Sequence, residues 1–181
     1  MKKPDIDIAD GHLRPADTDD LQFLIELLHN LEVRRYLCDD RALPRESVAE
    51  LLSTSKELDP RGLGLWIIEQ TGSGAVGIVG LQPVSFELAD PSVQGERIEP
   101  IIALHPGSWG KGIATRAMNT LIQYAGSVLG LDDLLAAVDV PNTRSCALML
   151  RCGFVPAGYA NGPANRLMLF RLDVAGNGKQ G

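Results

Sequence analysis

The stretch His105-Pro106-Gly107-Ser108-Trp109-Gly110-Lys111-Gly112-Ile113-Ala114-Thr115 follows a short apolar run, Ile101 to Leu104, and opens a long amphipathic segment. Glycines between a strand and a helix start let backbone N–H groups converge on an anion, and the helix macrodipole adds a positive end. The stretch is a candidate pyrophosphate cradle. A P-loop needs Gly-Lys followed by Ser or Thr, but Gly112 and Ile113 follow Lys111. A dinucleotide fingerprint needs a third glycine where this chain has Thr115. A third pattern, a Gly followed two positions later by Gly or Ala, is met by Gly112 and Ala114.

Outward from this loop the chain alternates between two periodicities. Upstream, Ile98 to Leu104 predicts a strand. Leu65 to Gln70 and Ala75 to Pro83 predict a hairpin joined by Thr71-Gly72-Ser73-Gly74. Ser85 to Arg97 is polar and reads as a loop. Further back, His12 to Pro15 predicts a short strand. Thr18 or Asp19 caps a helix to about Asn30, Arg34 to Arg45 reads as a loop, and Pro44 opens a second helix with Val48, Leu51 and Leu52 inward. Asp59-Pro60-Arg61-Gly62 ends that helix. Downstream, a helix from about Gly110 to Leu129 carries Ile113, Ala117, Leu121, Ala125 and Val128 on one stripe, and Gly130 stops it. Leu134 to Val140 predicts a strand, Asn142 or Thr143 a helix start ended by Gly153, and Phe154 to Ala157 and Arg166 to Leu172 the last two strands. The order β-α-α-β-β-β-α-β-α-β-β implies an α/β fold, one mixed sheet with helices on both faces.

A chain of 181 residues with 45% hydrophobic residues suits one domain with a sizeable core. We expect an N-terminal extension over 1–11, the domain over 12–174 and a disordered tail over 175–181. No apolar run reaches membrane-spanning length, and residues 1–11 lack a signal-peptide core. The expectation is a soluble cytoplasmic protein with no membrane partner, a monomer or homodimer. Cys38, Cys146 and Cys152 form no Cys-x-x-Cys pair, and with three scattered histidines no metal site is expected. A net charge of −6 argues against nucleic-acid binding and favours a cationic or amine-bearing substrate.

With these elements placed, the chain resembles the GNAT acetyltransferase superfamily, and within it the ribosomal-protein N-terminal acetyltransferase (Rim) branch. The resemblance runs from Leu13-Arg14-Pro15 to Leu172. It is carried by Ile98-Glu99 through Gly112-Ile113-Ala114, by Val138-Asp139-Val140-Pro141-Asn142-Thr143-Arg144-Ser145, and by Gly153-Phe154. It implies the acyl-CoA N-acyltransferase fold, a central, mostly antiparallel sheet in which two strands splay apart. Those would be Ile98–Leu104 and Leu134–Val140, with the pantetheine arm between them. It further implies metal-free acetyl transfer from acetyl-CoA to a primary amine, a protein N-terminus or a small molecule. Two departures stand out: Trp109 replaces the usual Gln or Arg of the loop, and Met149 replaces a Tyr that serves as acid for the leaving thiolate.

On that resemblance Trp109, Gly110, Lys111, Gly112, Ile113 and Ala114 would hold the pyrophosphate, mainly through backbone N–H groups. Ile102, Ala103, Leu104 and Asn142 would line the arm. Lys111 either adds charge or is simply solvated. Glu99 aligns with a family glutamate and would take the amine proton directly or through water; otherwise it pairs with Arg97 or another cation. Ser145 would donate to the leaving thiolate, or merely satisfy backbone in a first helical turn. Asn142 would bond the pantetheine amides, cap the helix, or both. Asp139 and His105 are weaker candidates, fitting a turn and a strand-end loop. Cys146 fits a small buried hydrophobe better than a nucleophile, and no base partner for an acyl-enzyme is apparent.

An α-amine has a pKa near ~8 and a lysine near ~10.4, so roughly a tenth of the first but under a thousandth of the second is neutral at pH 7. An α-amine therefore asks less of a base, and the Rim-like resemblance favours a protein N-terminus as the acceptor, which would be held by Asp20–Arg45, Ser85–Arg97 and Pro156–Arg166. A small-amine acetyltransferase and a catalytically weak acyl-CoA-binding module are the alternatives.

Overall fold

The alternating apolar positions of the central strands are buried on both faces, which requires a layer of helices on each side. In a computed structural model, which describes residues 3–84 and 96–175, this is the arrangement found. Strands β1 (Ile6–Ile8), β2 (Gly11–Pro15), β3 (Gly64–Gln70), β4 (Gly74–Pro83) and β5 (Ile98–Leu104) form one antiparallel sheet in that order. Strands β6 (Asp133–Asp139), β8 (Arg166–Asp173) and β7 (Val155–Asn161) form a second, also antiparallel.

On one face, Leu65, Ile67, Ile78 and Ala103 pack beneath α1 (Leu21–His29), α2 (Leu31–Leu37) and α3 (Arg45–Glu57). On the other, Trp66, Ile68, Val79, Ile98 and Leu104 pack beneath α4 (Ile113–Ser127) and α5 (Thr143–Arg151). The expected α/β class, antiparallel pairing, splayed strands and two-sided helical cover are all present.

The single sheet resolves into two because β5 and β6 lie side by side without ladder pairing. Their starts are tied together: Arg97, just before β5, and Arg171 on β8 both engage Asp133, which is 8% exposed. The rest of the seam is a gap between two unpaired strand edges.

Several local expectations are corrected. Part of the expected loop 34–45 is helical, since α2 runs to Leu37; it buries only Val33 and leaves Leu31 65% exposed, so no apolar stripe marks it. Leu51 and Val128, expected inward, are 37% and 51% exposed. The final hairpin is longer than expected, with β7 reaching Asn161. The N-terminal extension adds β1, and ahead of it Lys3 is buried. Its Nζ donates to the Leu65 carbonyl at 2.7 Å, pairs with Asp59 at 2.6 Å and lies 4.6 Å from the Trp66 ring centre. Burial lowers the Lys3 pKa, with Asp59 acting against that shift. Ser85 to Gly95 and the tail beyond Ala175 lie outside the described residues.

Candidate active site

The parity of the β4–β5 ladder decides what faces the gap. Val84 N–H donates to Arg97 O and His105 N–H to Val76 O, both at 2.9 Å. In an antiparallel pair, hydrogen-bonded and non-hydrogen-bonded positions alternate. Glu99, Ile101 and Ala103 therefore spend their backbone groups on β4, while those of Ile98, Pro100, Ile102 and Leu104 point toward β6. Pro100, which has no N–H, stands where no partner strand asks for one. The β4–β5 register runs through Pro100 without a shift. The same parity on β6, set by Val140 N–H to Arg166 O at 2.9 Å, turns the backbone of Leu135 and Ala137 toward the gap. A slot lined by unpaired N–H and C=O groups suits an extended, amide-bearing ligand. Of the three residues expected along it, Ile102 and Leu104 offer backbone, and Ala103 contributes only its small buried side chain.

At the Leu104 end the loop is held from several directions. Trp109 Nε1 donates to Leu104 O at 2.9 Å, and the Arg144 guanidinium lies 4.5 Å from the Trp109 ring centre. His105 accepts from Gly107 N–H at 3.2 Å, so it is a loop-capping residue. Gly110 and Gly112 both have φ +74°, a left-handed conformation that side-chain-bearing residues rarely adopt. Gly112 is the N-cap of α4 and brings no side chain to its first-turn amides. Those amides, together with the exposed Gly110, Lys111 and Gly112 backbone, make a concave set of donors of the kind that an anion cradle needs. Ile113 is buried at 2% and anchors the helix, leaving its N–H as its possible contribution.

Glu99 lies five residues from Leu104, about 17 Å along the strand. Its carboxylate is 6% exposed and accepts from Gln82 Nε2 at 3.0 Å; the two residues are register partners. Across the gap, Asn142 caps α5 by accepting from Ser145 N–H at 3.2 Å. Asp139 contributes a backbone carbonyl to the same turn, accepting from Asn142 N–H at 2.8 Å. Met149 is buried at 3% in the core. Cys146 is half-buried, and burial raises its thiol pKa, which disfavours a thiolate.

Three residues of this region were given no role by the sequence. Tyr36 on α2 donates to the Pro141 carbonyl at 3.3 Å, bringing a phenol beside the start of α5. Arg144 braces Trp109. Gln82, the partner of Glu99, left one trace in the sequence: it is the lone polar side chain in the run Gly74–Pro83.

A seam of two unpaired strand edges, with an anion cradle at one end and a buried carboxylate at the other, defines a class. The acetyltransferase (GNAT) domain family matches residues 12–155. The chain belongs to this family and is an acetyl-CoA-dependent N-acetyltransferase, with acetyl-CoA as co-substrate. It is 30% identical over 147 residues to the spermidine N(1)-acetyltransferase of Escherichia coli K12, covering 81% of this chain and 73% of that one. A GNAT-family acetyltransferase from Bordetella pertussis superimposes with a TM-score of 0.79 at 19% identity, covering 93% and 98% of the two chains. RimL, a ribosomal L7/L12 α-N-protein acetyltransferase in complex with coenzyme A, superimposes with a TM-score of 0.74 at 17% identity, covering 95% and 99%. No described helix is long and apolar enough to cross a membrane. Among the described residues, no group of three or more His, Cys, Asp or Glu gathers to hold a metal.

Proposed function

We propose that the protein acetylates a small cationic amine by direct attack on acetyl-CoA in a ternary complex. The observation that carries this reading is the unpaired β5–β6 seam, with the Gly112 cradle at one end and Glu99 at the other. The pyrophosphate takes the cradle amides from Gly110 to Ala114. The pantetheine amides run along Ile102 and Leu104, with Asn142 across the gap, and the acetyl group reaches the level of Glu99. The neutral amine's lone pair attacks the thioester carbonyl carbon. A C–N bond forms, the tetrahedral intermediate collapses, the C–S bond breaks and the CoA thiolate leaves. Glu99 takes the proton the amine sheds, directly or through water, and Ser145 Oγ donates a hydrogen bond to the thiolate.

Support for a small cationic acceptor comes from the spermidine-acetylating relative and from the net charge of −6. A second reading, a protein N-terminus as favoured by the Rim-like motifs, draws support from the RimL superposition. Calorimetric titration with acetyl-CoA, followed by thiol release on polyamines, monoamines and N-terminal peptides, separates the two. Glu99→Gln should cut kcat about a hundredfold while leaving acetyl-CoA affinity within about twofold. Unchanged kcat removes Glu99 as the base, and turnover confined to peptides replaces the small-amine reading with the N-terminal one.

A further inference from the structure

A cleft of about 320 Å³ opens between α3 and the ends of β3 and β4. That is the small end of the range that holds small molecules. Its walls include Ser47, Glu50, Leu51 and Thr54 from α3, Leu58 just beyond it, and Gln82 from β4. Glu50 is the one ionisable side chain among the described residues that line it, and it is exposed at the mouth. At the inner end, Gln82 hydrogen-bonds Glu99, the buried carboxylate of the seam. Strand alternation puts Gln82 and Glu99 on the same sheet face as Ile78 and Ala103, the face that α3 covers.

Resting on the acetyl-transfer reading above, we propose that this cleft is the acceptor subsite and that Glu50 selects an aliphatic amine carrying a second positive charge. The cleft has a carboxylate at its mouth, leucine side chains along its length and a hydrogen-bonded carboxylate behind its floor. A molecule with a cation at each end and methylenes between matches that sequence of environments. The distal ammonium pairs with Glu50, the methylenes lie on Leu51 and Leu58, and the reacting amine passes Gln82 to Glu99. Among the described residues that line the cleft, none is a cation that competes for Glu50. A monoamine of the same length fills the same space and leaves Glu50 solvated, so Glu50 discriminates by charge and not by fit.

The test uses the full-length protein and two probes of equal length, 1,4-diaminobutane and n-butylamine. Thiol release gives kcat/KM for each, and calorimetry on the CoA-loaded protein gives the diaminobutane Kd. Wild type should prefer the diamine. Glu50→Gln should lower that preference about threefold to fivefold, as expected for a solvent-exposed charge pair. Glu50→Lys should lower it on the order of tenfold or more through like-charge repulsion. The diamine Kd should rise in step. A preference that Glu50 does not move, or an equal loss for both amines, overturns the proposal. If neither amine is acetylated, the titration still decides. Diamine binding weakened in both variants keeps the cleft and rejects only acetyl transfer to it; diamine binding absent in wild type, or untouched by Glu50, rejects the cleft even where transfer to other amines stands.

Discussion

The Trp109 indole N–H donates to the Leu104 carbonyl at 2.9 Å, so the last residue of β5 and the glycine loop are joined by a side chain as well as by the chain itself. Leu104 O faces the seam, where β6 offers no ladder donor; Trp109 fills that need and fixes the loop relative to the slot. Trp109→Phe keeps the ring under Arg144 and removes only the donor. It should cost about 1 kcal/mol in urea denaturation and weaken acetyl-CoA binding several-fold by calorimetry. Unaltered affinity would detach the indole from loop placement.

Gly112→Asp attacks the cradle in two ways. The left-handed φ costs a side-chain-bearing residue about 1–2 kcal/mol, and an added Cβ would lie 3.0 Å from Arg116 Nη1. Beyond that strain, a carboxylate would stand where the pyrophosphate is expected. Titration with acetyl-CoA should give no measurable heat. Gly112→Ala carries the strain without the charge and should retain weakened binding; equal loss in both would assign the effect to backbone alone.

Ser145→Ala isolates the hydroxyl. The start of α5 depends on Ser145 N–H donating to Asn142 Oδ1, which alanine preserves. Thermal stability should therefore hold while kcat falls several-fold, in line with the loss of one hydrogen bond to a developing charge. An unchanged kcat would leave Ser145 as a first-turn residue only.

The acid limb of stability should depend on Asp20. Its burial alone would raise its pKa, but the forked Arg14 guanidinium, at 2.6 and 2.8 Å, and the Asp17 N–H hold it below the usual carboxylate range. A carboxyl depressed in the folded state stabilises fully above its ordinary pKa of 3.8 and loses that contribution as pH falls through the folded value. Stability from urea denaturation should decline below about pH 4. Asp20→Asn should cost about 2 kcal/mol at neutral pH and flatten that decline.

The loop was legible because Gly110 and Gly112 are costly unless a turn demands them, and because Ile113, Ala117, Leu121 and Ala125 follow at helical spacing. The splay left no mark of its own: β5 and β6 are both apolar, and whether two such strands pair is decided by tertiary packing. Strand α-helix spacing also failed at α2, whose Leu31 and Leu37 face outward. Glu99 could be chosen from the motif, but Gln82 opposite it needed the β4–β5 register. Glu50 sits among ordinary exposed helix residues, and only the cleft distinguishes it.

The family match begins at residue 12, nine positions after the buried Lys3. A domain trimmed to the matched residues would lose β1, the Lys3 ammonium and the Pro4 carbonyl that accepts from Trp66 Nε1 at 2.9 Å. Asp59 would lose its paired ammonium, and the fully buried indole would lose its hydrogen-bond acceptor. Homology thus draws the boundary inside the folding unit, and expression tags or proteolytic trimming at the amino end act on the core.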